Sequence, residues 1–466
     1  MNMDQRNTNA KQIQKIYHNF FLHIHAPRVY QGSLKLTYTF GLGLILSFLF
    51  LIMIITGFIL LMNYTPSVER AYDSVKDIIF IVPGGRYIRN IHRWAAHGMV
   101  LVVFLHMVRT FLTASYQGKR KTNWIIGVFM LLVVLFMNFS GYLLPWDQLA
   151  YWAVTIGANI AASARELTDI LGITNFIDIG GFFKKLLIGS ESVGQAALTR
   201  FFMLHIIFLP LTLLILTGWH FWRIRKDGGL AVGEVNKSAS LQVYKSASKQ
   251  VNKTDERFYS WPILMWIELA TLLFITAVLL LMALLFDAPI REQANPAFAE
   301  NPAKSPWCFL GIQEIVSYSA FAGGFLIPIL FIVFLISIPY FDKETQYTGI
   351  WFSGIQGKKI LAFSVLFSFV ITVFLIFIAV RFGWLREWFD DVSGFVIMLI
   401  NPATLSALLY IFWSVVILRK TKSARMAAIA LFACAITGLI IYTVMGIWFR
   451  GPNWEFYWSS SQWPVL

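Results

Sequence analysis

Nine long apolar segments constrain what this chain can fold into. Each is about 20 residues long, which is the length of a helix that crosses a hydrocarbon layer of about 30 Å. Continuous apolar runs predict helices, because a transmembrane barrel needs short strands of alternating polarity. The sequence therefore predicts an all-α, polytopic transmembrane protein. The segments are 37–62, 91–114, 124–144, 199–222, 262–286, 319–340, 359–380, 396–418 and 425–448.

The composition excludes a soluble globular protein. Of 466 residues, 58% are hydrophobic and 13% are charged, whereas soluble domains carry about 25% charged residues. The net charge of +14 is read as membrane topology and not as nucleic-acid binding, since most lysines and arginines fall in alternate loops. That distribution places the N-terminus in the cytoplasm and the C-terminus outside. Cys308 and Cys434 form no motif, so neither a disulfide nor a cysteine metal site is indicated.

A polar tract separates the first four apolar segments from the last five. Residues 226–257 predict a flexible cytoplasmic linker, with an ordered loop packed on a partner as the alternative. Residues 1–35 are predicted as a cytoplasmic N-terminal segment. The long stretches 145–198 and 287–318, predicted on the outer side, favour a binding site there.

Four histidines recur at matching spacings in two of these segments. His92 and His106 are 14 residues apart in the second segment, and His205 and His220 are 15 apart in the fourth. Each pair lies within roughly 40–60° of one helix face and is separated by about 21–22 Å along it. Two such helices facing each other would form two stacked histidine pairs. Bis-histidine ligation leaves haem iron no open position, which suits electron transfer.

Glycines follow the same repeat in the two remaining helices of the first half. Gly43 and Gly57 are 14 residues apart, as are Gly127 and Gly141. Glycine permits the close backbone approach that the edge of a haem requires, although small residues also favour helix packing in membranes.

Other polar residues lie beside the proposed ligands. We expect Arg93, Arg109 and Arg200 to pair with haem propionates, with snorkelling to the interface as the alternative. His97 points about 140° away from His92 and is predicted to be a packing or hydrogen-bonding residue.

Several long motifs resemble the cytochrome b/b6 family of quinol–cytochrome c oxidoreductases, in its plastid-type form. The resemblance covers residues 36–230 closely and the rest more weakly. The matching stretches are Ile91-His92-Arg93-Trp94, Leu105-His106-Met107-Val108-Arg109, Gly141-Tyr142-Leu143-Leu144-Pro145-Trp146-Asp147-Gln148, Tyr151-Trp152-Ala153-Val154, Gly189-Ser190-Glu191-Ser192-Val193-Gly194-Gln195, Leu198-Thr199-Arg200-Phe201 leading to His205, and His220-Phe221 leading to Arg225-Lys226.

The resemblance implies a function and a ligand set. It pairs His92 with His205 on an outer haem b and His106 with His220 on a cytoplasmic-side haem b. It implies quinol oxidation at the outer face, with one electron passing to a Rieske iron–sulfur protein and the other crossing through the two haems, so that electron flow drives proton translocation. Residues 36–225 would form the four-helix dihaem domain, and residues 258–466 a quinone-site domain with extra transmembrane helices.

The second half departs from the family at its quinol-site motif, Pro-Glu-Trp-Tyr. The aligned residues are Ser305, Pro306, Trp307 and Cys308, so Trp307 fits while proline replaces the proton-accepting glutamate. Glu314, two turns after Trp307, is the nearest substitute, with a helix-end or surface position as its alternative. Asp147 is a second candidate and could equally cap a helix.

Two further departures concern the cofactors and the cytoplasmic side. The plastid-type enzymes attach a third haem to a cysteine whose matching position here is Gly41. We therefore expect two non-covalent b haems and no covalent third. His23, His25, Arg28, Arg225, Lys226 and Asp227 would then surround an unblocked cytoplasmic-side quinone site, or form a basic cluster that contacts anionic lipid.

The sequence lacks an electron acceptor of its own, since it has neither the haem c motif CxxCH nor Rieske-type motifs. We therefore expect a Rieske protein and a c-type cytochrome subunit as partners, a homodimeric complex, and a location in a bacterial cytoplasmic membrane. The tail 449–458 could dock the cytochrome or form an interfacial aromatic belt. The runner-up function is a non-bifurcating haem b electron conduit to a different redox partner. A transporter with coincidental histidines is a third interpretation.

Overall fold

The computed structural model describes residue 25 and residues 28–30, 34–231 and 257–464, and most of these residues are helical. The described part of the first half contains ten α-helices. They are α1 (Leu36–Thr39), α2 (Leu42–Leu61), α3 (Ala71–Phe80), α4 (Gly85–Leu112), α5 (Lys121–Tyr142), α6 (Gln148–Ala162), α7 (Arg165–Ile170), α8 (Ile179–Ile188), α9 (Gln195–Met203) and α10 (Leu209–Lys226).

The described part of the second half begins with a strand and continues in helices. The helices are α11 (Ile263–Leu285), α12 (Trp307–Tyr318), α13 (Ile327–Phe341), α14 (Ile355–Phe382), α15 (Leu385–Trp388), α16 (Gly394–Leu399), α17 (Pro402–Thr421) and α18 (Ala424–Val444). Three π-helical segments adjoin them, at Leu204–Phe208, Ala322–Leu326 and Met445–Phe449.

The predicted membrane helices are confirmed. In the described residues, nine helical stretches are long and apolar enough to span a membrane, four before the polar tract and five after it. The eighth begins at Pro402, six residues later than predicted. Asn401 explains the shift, because its side chain accepts hydrogen bonds from the backbone N–H groups of Ala403 and Thr404 and so caps the helix there.

The all-α prediction has one small exception. Strand β1 (Arg28–Tyr30) pairs antiparallel with β2 (Arg257–Tyr259), so that Val29 lies opposite Phe258. This ribbon joins the segment before α2 to the segment before α11. Residues 232–256 of the predicted linker lie outside the described residues, as does His23 of the predicted cytoplasmic-side cluster.

Helices α2, α4, α5 and α10 form the bundle of the first half. Helix α4 packs on α2 and α5, and α5 packs on α10. Helix α11 adds to the outside of this bundle against α2 and α4. In the second half, α18 is the central helix and contacts α12, α14 and α17. Its Gly438 allows the approach of Tyr410, since an added Cβ would lie 2.6 Å from the tyrosine hydroxyl.

Aromatic and polar contacts fasten the two halves together at one end of α4. The Phe111 ring stacks on Phe432 of α18 with centroids 4.0 Å apart, and Trp124 donates to the Leu335 carbonyl. Close to them, Asp342 accepts hydrogen bonds from Arg425 Nε at 2.8 Å and from the Tyr116 hydroxyl at 2.8 Å. Asp342 and Arg425 are buried, so this ion pair lies inside the junction.

The loop 287–306 fastens the opposite end. Asn90 accepts from the Ala288 N–H through its side-chain oxygen, and Arg89 donates to the carbonyls of Ala288 and Pro289. Asp287 pairs with Arg86 of α4, and hydrogen bonds from Arg86 and Asn90 hold the pKa of this carboxyl below its usual value. Residues 287–306 of the predicted outer segment thus form an ordered loop that packs against α4 of the first half.

The buried Arg425–Asp342 pair predicts a stability difference. Replacing Arg425 with methionine leaves the Asp342 carboxylate buried without its cation, which typically costs about 3–5 kcal/mol. We expect Arg425→Met to lower the thermal unfolding temperature clearly. The control is Arg165→Met, which removes a half-exposed pair with Asp178 and should leave the unfolding temperature nearly unchanged. Equal effects of the two substitutions would contradict this account of the junction.

Candidate functional site

The four spaced histidines converge inside the bundle of the first half. His92 and His106 lie on α4, His205 lies in the π-helical segment Leu204–Phe208, and His220 lies on α10. Pro210 occupies the first turn of α10 and has no N–H to donate, which favours a local π turn before it. The π turn absorbs one extra residue, and this explains why the second spacing is 15 and the first is 14.

In the first histidine pair, the ring of His92 lies opposite the ring of His205 inside the bundle. Their ring centroids are 6.3 Å apart. Two imidazoles that each place a nitrogen about 2 Å from one metal ion have centroids about 6 Å apart. The Nδ1 of His92 is 2.9 Å from Thr56 Oγ1, and that of His205 is 3.0 Å from the Met137 carbonyl. These contacts hold Nδ1 of each ring, which leaves Nε2 for a metal.

The second histidine pair, His106 and His220, lines a cavity with Arg109, Asn123 and Gly127. Several buried polar atoms around this cavity have no hydrogen-bond partner among the described residues. They include His220 Nδ1, Arg109 Nη2 and Asn123 Oδ1. Because buried polar groups are ordinarily satisfied, the unpaired donors and acceptors indicate that a polar ligand belongs here.

Each predicted glycine lies against one of the histidine rings. An added Cβ would meet the ring Cε1 of His106 from Gly43 at 3.4 Å, and of His92 from Gly57 at 3.4 Å. The corresponding distances are 3.9 Å from Gly127 to His220 and 2.4 Å from Gly141 to His205. The 14-residue glycine repeat therefore matches the histidine repeat residue by residue, and Gly141 is the position where no side chain fits.

Two facing histidines supply only two metal ligands. Among the described residues, no group of three or more His, Cys, Asp or Glu side chains could hold a metal ion. A metal between the paired rings therefore needs other ligands, and a porphyrin would supply four nitrogens in addition to the two imidazoles. The donor set and the glycine-lined walls fit a haem at each pair.

The three predicted arginines occupy different surroundings. Arg109 is buried, lies over the Tyr38 ring at 4.8 Å and has an unpaired Nη2. Arg93 lies over the Tyr142 ring at 5.2 Å. Arg200 donates from Nη1 to the carbonyls of Lys185 and Leu186 near the end of α8. Of the three, Arg109 is the one with a buried donor free to bind a carboxylate.

The predicted quinol-site residues Asp147, Glu314 and Trp307 each have a different set of hydrogen-bond partners. Asp147 caps α6 by accepting from the Ala150 N–H, and its other oxygen accepts from the Arg291 N–H. The structure therefore shows the capping arrangement that was the alternative for Asp147.

Glu314 lies in a fully buried cluster, so the surface alternative for this residue is wrong. Its carboxylate accepts from Arg450 Nη2 at 2.6 Å, from the Tyr318 hydroxyl at 3.0 Å and from Trp454 Nε1 at 2.9 Å. Burial would lower the pKa of Arg450, but the hydrogen bonds and charge of Glu314 outweigh it and raise the pKa. These contacts occupy the carboxylate and favour a structural role, which is to hold the tail 449–458.

Trp307 instead contacts His97. Its indole Nε1 lies 2.8 Å from His97 Nδ1, and Arg93 Nε lies 3.0 Å from His97 Nε2. The prediction that His97 is a hydrogen-bonding residue is confirmed, but its partners come from both halves of the chain, which spacing within one helix could not reveal. Beside Trp307, burial raises the pKa of the Cys308 thiol to about 11.

Polar groups also gather below the second histidine pair. Asp227 pairs with Arg223 at 3.0 Å, and both Asp227 Oδ2 and Arg223 Nε are buried without a partner among the described residues. His25 Nε2 lies 2.8 Å from Glu268 Oε1, and Arg28 lies in β1. Of the predicted cytoplasmic-side residues that the structure describes, Asp227 is the one that lines the cavity.

Comparisons with known proteins agree with this geometry. A family model described as Cytochrome b/b6/petB matches residues 29–228. Cytochrome b6 of Prochlorococcus marinus strain MIT 9211 is 41% identical over 179 residues, which are 38% of this chain and 77% of that protein. Cytochrome b6 of strain MIT 9301 matches to the same extent.

A solved structure described as a hyperthermophilic respiratory Complex III has a similar fold. The TM-score is 0.61 and the sequence identity 21%, and the match covers 95% of this chain and 97% of that one. At this identity the likeness concerns the fold, and it extends the similarity from the first half to both halves.

The glycine contacts predict unequal effects of two identical substitutions. In Gly141→Ala the new methyl group would lie 2.4 Å from His205 and must displace the ring, whereas in Gly127→Ala it meets His220 at 3.9 Å, an ordinary contact. We expect Gly141→Ala to lower haem content by reducing occupancy of the first pair, and Gly127→Ala to leave haem content unchanged. Haem content is measured spectrally in the purified variants. The same loss in both would contradict the assignment of glycines to rings.

Proposed function

Because this chain belongs to the cytochrome b/b6 family, we propose that it is the dihaem cytochrome b subunit of a quinol:cytochrome c oxidoreductase. Membership of this family implies that the chain binds haem b. The number of haems, the quinol chemistry and the coupling to proton translocation are the proposal. The observation that supports it most is the pair His92 and His205, whose ring centroids are 6.3 Å apart. A second histidine pair, His106 and His220, lies further along the same two helices.

In the proposed ligand set, His92 and His205 hold an outer haem, and His106 and His220 hold a cytoplasmic-side haem. A bound haem supplies one-electron redox chemistry without an open coordination position. Thr56 and the Met137 carbonyl orient the rings of the first pair. Arg109, with its unpaired Nη2, would bind a propionate beside the second pair. Gly41 stands at the position of the covalent third haem, so two non-covalent haems are proposed.

The chain is a multi-pass membrane protein, and its orientation follows from charge. We propose a bacterial cytoplasmic membrane with the N-terminus inside and the C-terminus outside, because the positive residues concentrate in alternate loops. In this orientation the loop 287–306 and α12 lie at the outer face beside the first pair, where quinol would be oxidised. Asp227 and Arg223 lie at the cytoplasmic face, where a quinone would be reduced.

The proposed oxidation needs partners. The two cysteines of the chain, Cys308 and Cys434, cannot supply an iron–sulfur cluster or a haem c site. A Rieske protein would take one electron from quinol and pass it to a c-type cytochrome, while the second electron crosses the membrane through this chain. We further propose that the complex is a homodimer that binds quinol and membrane lipid.

One observation favours the alternative function, a non-bifurcating electron conduit. Pro306 replaces the glutamate of the family motif, and Glu314 and Asp147 have their oxygens engaged by other groups. A site that lacks the family glutamate suits a chain that only carries electrons between the quinone pool and another redox partner.

A redox titration of the intact complex, followed together with quinol turnover, tests the proposal. We expect two haem b transitions with separate midpoints, because the two pairs have different polar surroundings. Quinol-dependent reduction of a c-type cytochrome should stop when the Rieske partner is removed, since one electron then has no acceptor. Turnover that continues without any Rieske centre would contradict bifurcation and support the conduit.

A further inference from the structure

His97 lies at the contact between the two halves of the chain and receives two N–H groups. Arg93 Nε points at its Nε2 from the same helix, at 3.0 Å, and Trp307 Nε1 points at its Nδ1 from α12, at 2.8 Å. The Trp307 and His97 rings are nearly parallel, with 28° between their planes. Neither His97 nor Trp307 is one of the proposed haem ligands.

The two donors exceed what one imidazole can accept. A guanidinium and an indole N–H donate hydrogen bonds and accept none. A neutral imidazole has one lone pair, and a protonated imidazole has none. His97 therefore satisfies one of its two neighbours while it is neutral, and it can hold Trp307 only as long as it is neutral.

Arg93 is the neighbour that has another partner. Its guanidinium lies 5.2 Å from the centre of the Tyr142 ring, a cation–π distance. With the imidazole proton on Nε2 and Arg93 turned to Tyr142, the Nδ1 lone pair accepts the indole N–H. Trp307 is 37% exposed, so a ligand can reach this hydrogen bond from outside the protein.

Two acidic groups near this junction, Glu314 and Asp147, are engaged, while burial raises the pKa of a third, Glu300. Glu314 accepts from Arg450, Tyr318 and Trp454, and Asp147 accepts from two backbone N–H groups. Burial raises the pKa of the Cys308 thiol to about 11, so it stays protonated. The charged and titratable groups around His97 are Arg93 on α4, Tyr142 on α5 beside Arg93, Cys308 on α12 beside Trp307 and, next to Tyr142, the carboxylates of Asp147 and Glu300.

We propose that His97 accepts a proton from quinol at this junction and that the indole N–H of Trp307 occupies the place of the quinol hydroxyl until substrate arrives. The proposal rests on the proposed function, quinol oxidation at the outer face, and names the group that takes the proton there.

The step balances with the partners already proposed. The quinol hydroxyl replaces the indole N–H at Nδ1 of His97. When an electron leaves the quinol for the iron–sulfur partner, the O–H bond breaks and its proton forms an N–H bond at Nδ1. The imidazolium has no lone pair and cannot take Trp307 back, so the site stays open until the proton leaves for the outer aqueous phase.

The first test is His97→Gln in the intact complex. Glutamine keeps an acceptor for the indole N–H but cannot take a proton. We expect quinol oxidation to fall at least about tenfold, and we expect the decline of rate towards low pH, where His97 of the wild-type protein is already protonated, to disappear. The reduced haem spectrum should not change, and this readout shows that the variant has folded.

The second test is Trp307→Phe, which keeps an aromatic ring and removes the competing N–H. We expect a lower KM for quinol, because the hydroxyl no longer displaces a hydrogen bond, and an unchanged low-pH decline of kcat. This variant leaves His97 in place, so it tests the proposal even where His97→Gln loses its haems. An unchanged or higher KM would overturn the role given to Trp307.

The outcomes separate this proposal from the proposed function. Wild-type complex that fails to oxidise quinol would overturn both. Wild-type complex that oxidises quinol, together with a His97→Gln variant that keeps the wild-type rate and its low-pH decline, would overturn the role of His97 alone. If the low-pH decline disappears in Glu314→Gln but remains in His97→Gln, then Glu314 and not His97 accepts the proton.

Discussion

The structure depends on keeping two pairs of imidazoles opposite each other between α4 and the helix formed by α9, the π turn and α10. At the first pair the ring centroids are 6.3 Å apart, so the flanking helices α2 and α5 must approach the rings without side chains of their own. Glycine meets this requirement at four positions, most strictly at Gly141. The π turn before Pro210 accommodates one extra residue between His205 and His220. Their 15-residue spacing therefore matches the 14-residue spacing of His92 and His106.

The second half is held to this bundle by polar contacts at both ends of α4. At one end the buried Asp342–Arg425 pair and the Phe111–Phe432 stack join α18 to the first half. At the other, the loop 287–306 crosses α4, and Trp307 donates to His97. Both ends of α4 thus contact the second half of the chain, and the residues between them include His92 and His106. We propose the outer quinol site at this boundary, where protonation of His97 would release the hydrogen bond from Trp307.

The sequence predicted what repeats locally and missed what depends on distant contacts. The nine membrane helices and the matched histidine and glycine repeats follow from apolar length and helical period, so they could be read from the chain. The π turn had only Pro210 as a signal. Glu314 was judged as a lone carboxylate, but Arg450, 136 residues further on, occupies it. His97 is predicted as a hydrogen-bonding residue, yet its bond with Trp307 joins helices that only the folded structure brings together. The ribbon of β1 and β2 was missed for the same reason.

The central claim is that the chain holds two haems, each between one histidine of α4 and one of the α9–α10 helix. The most direct measurement is the number of haem b groups per chain in the wild-type protein, His92→Ala and His106→Ala. The account predicts two in the wild type and one in each variant, with a different spectral component lost from each. A single haem in the wild type, or two haems retained in either variant, would contradict it.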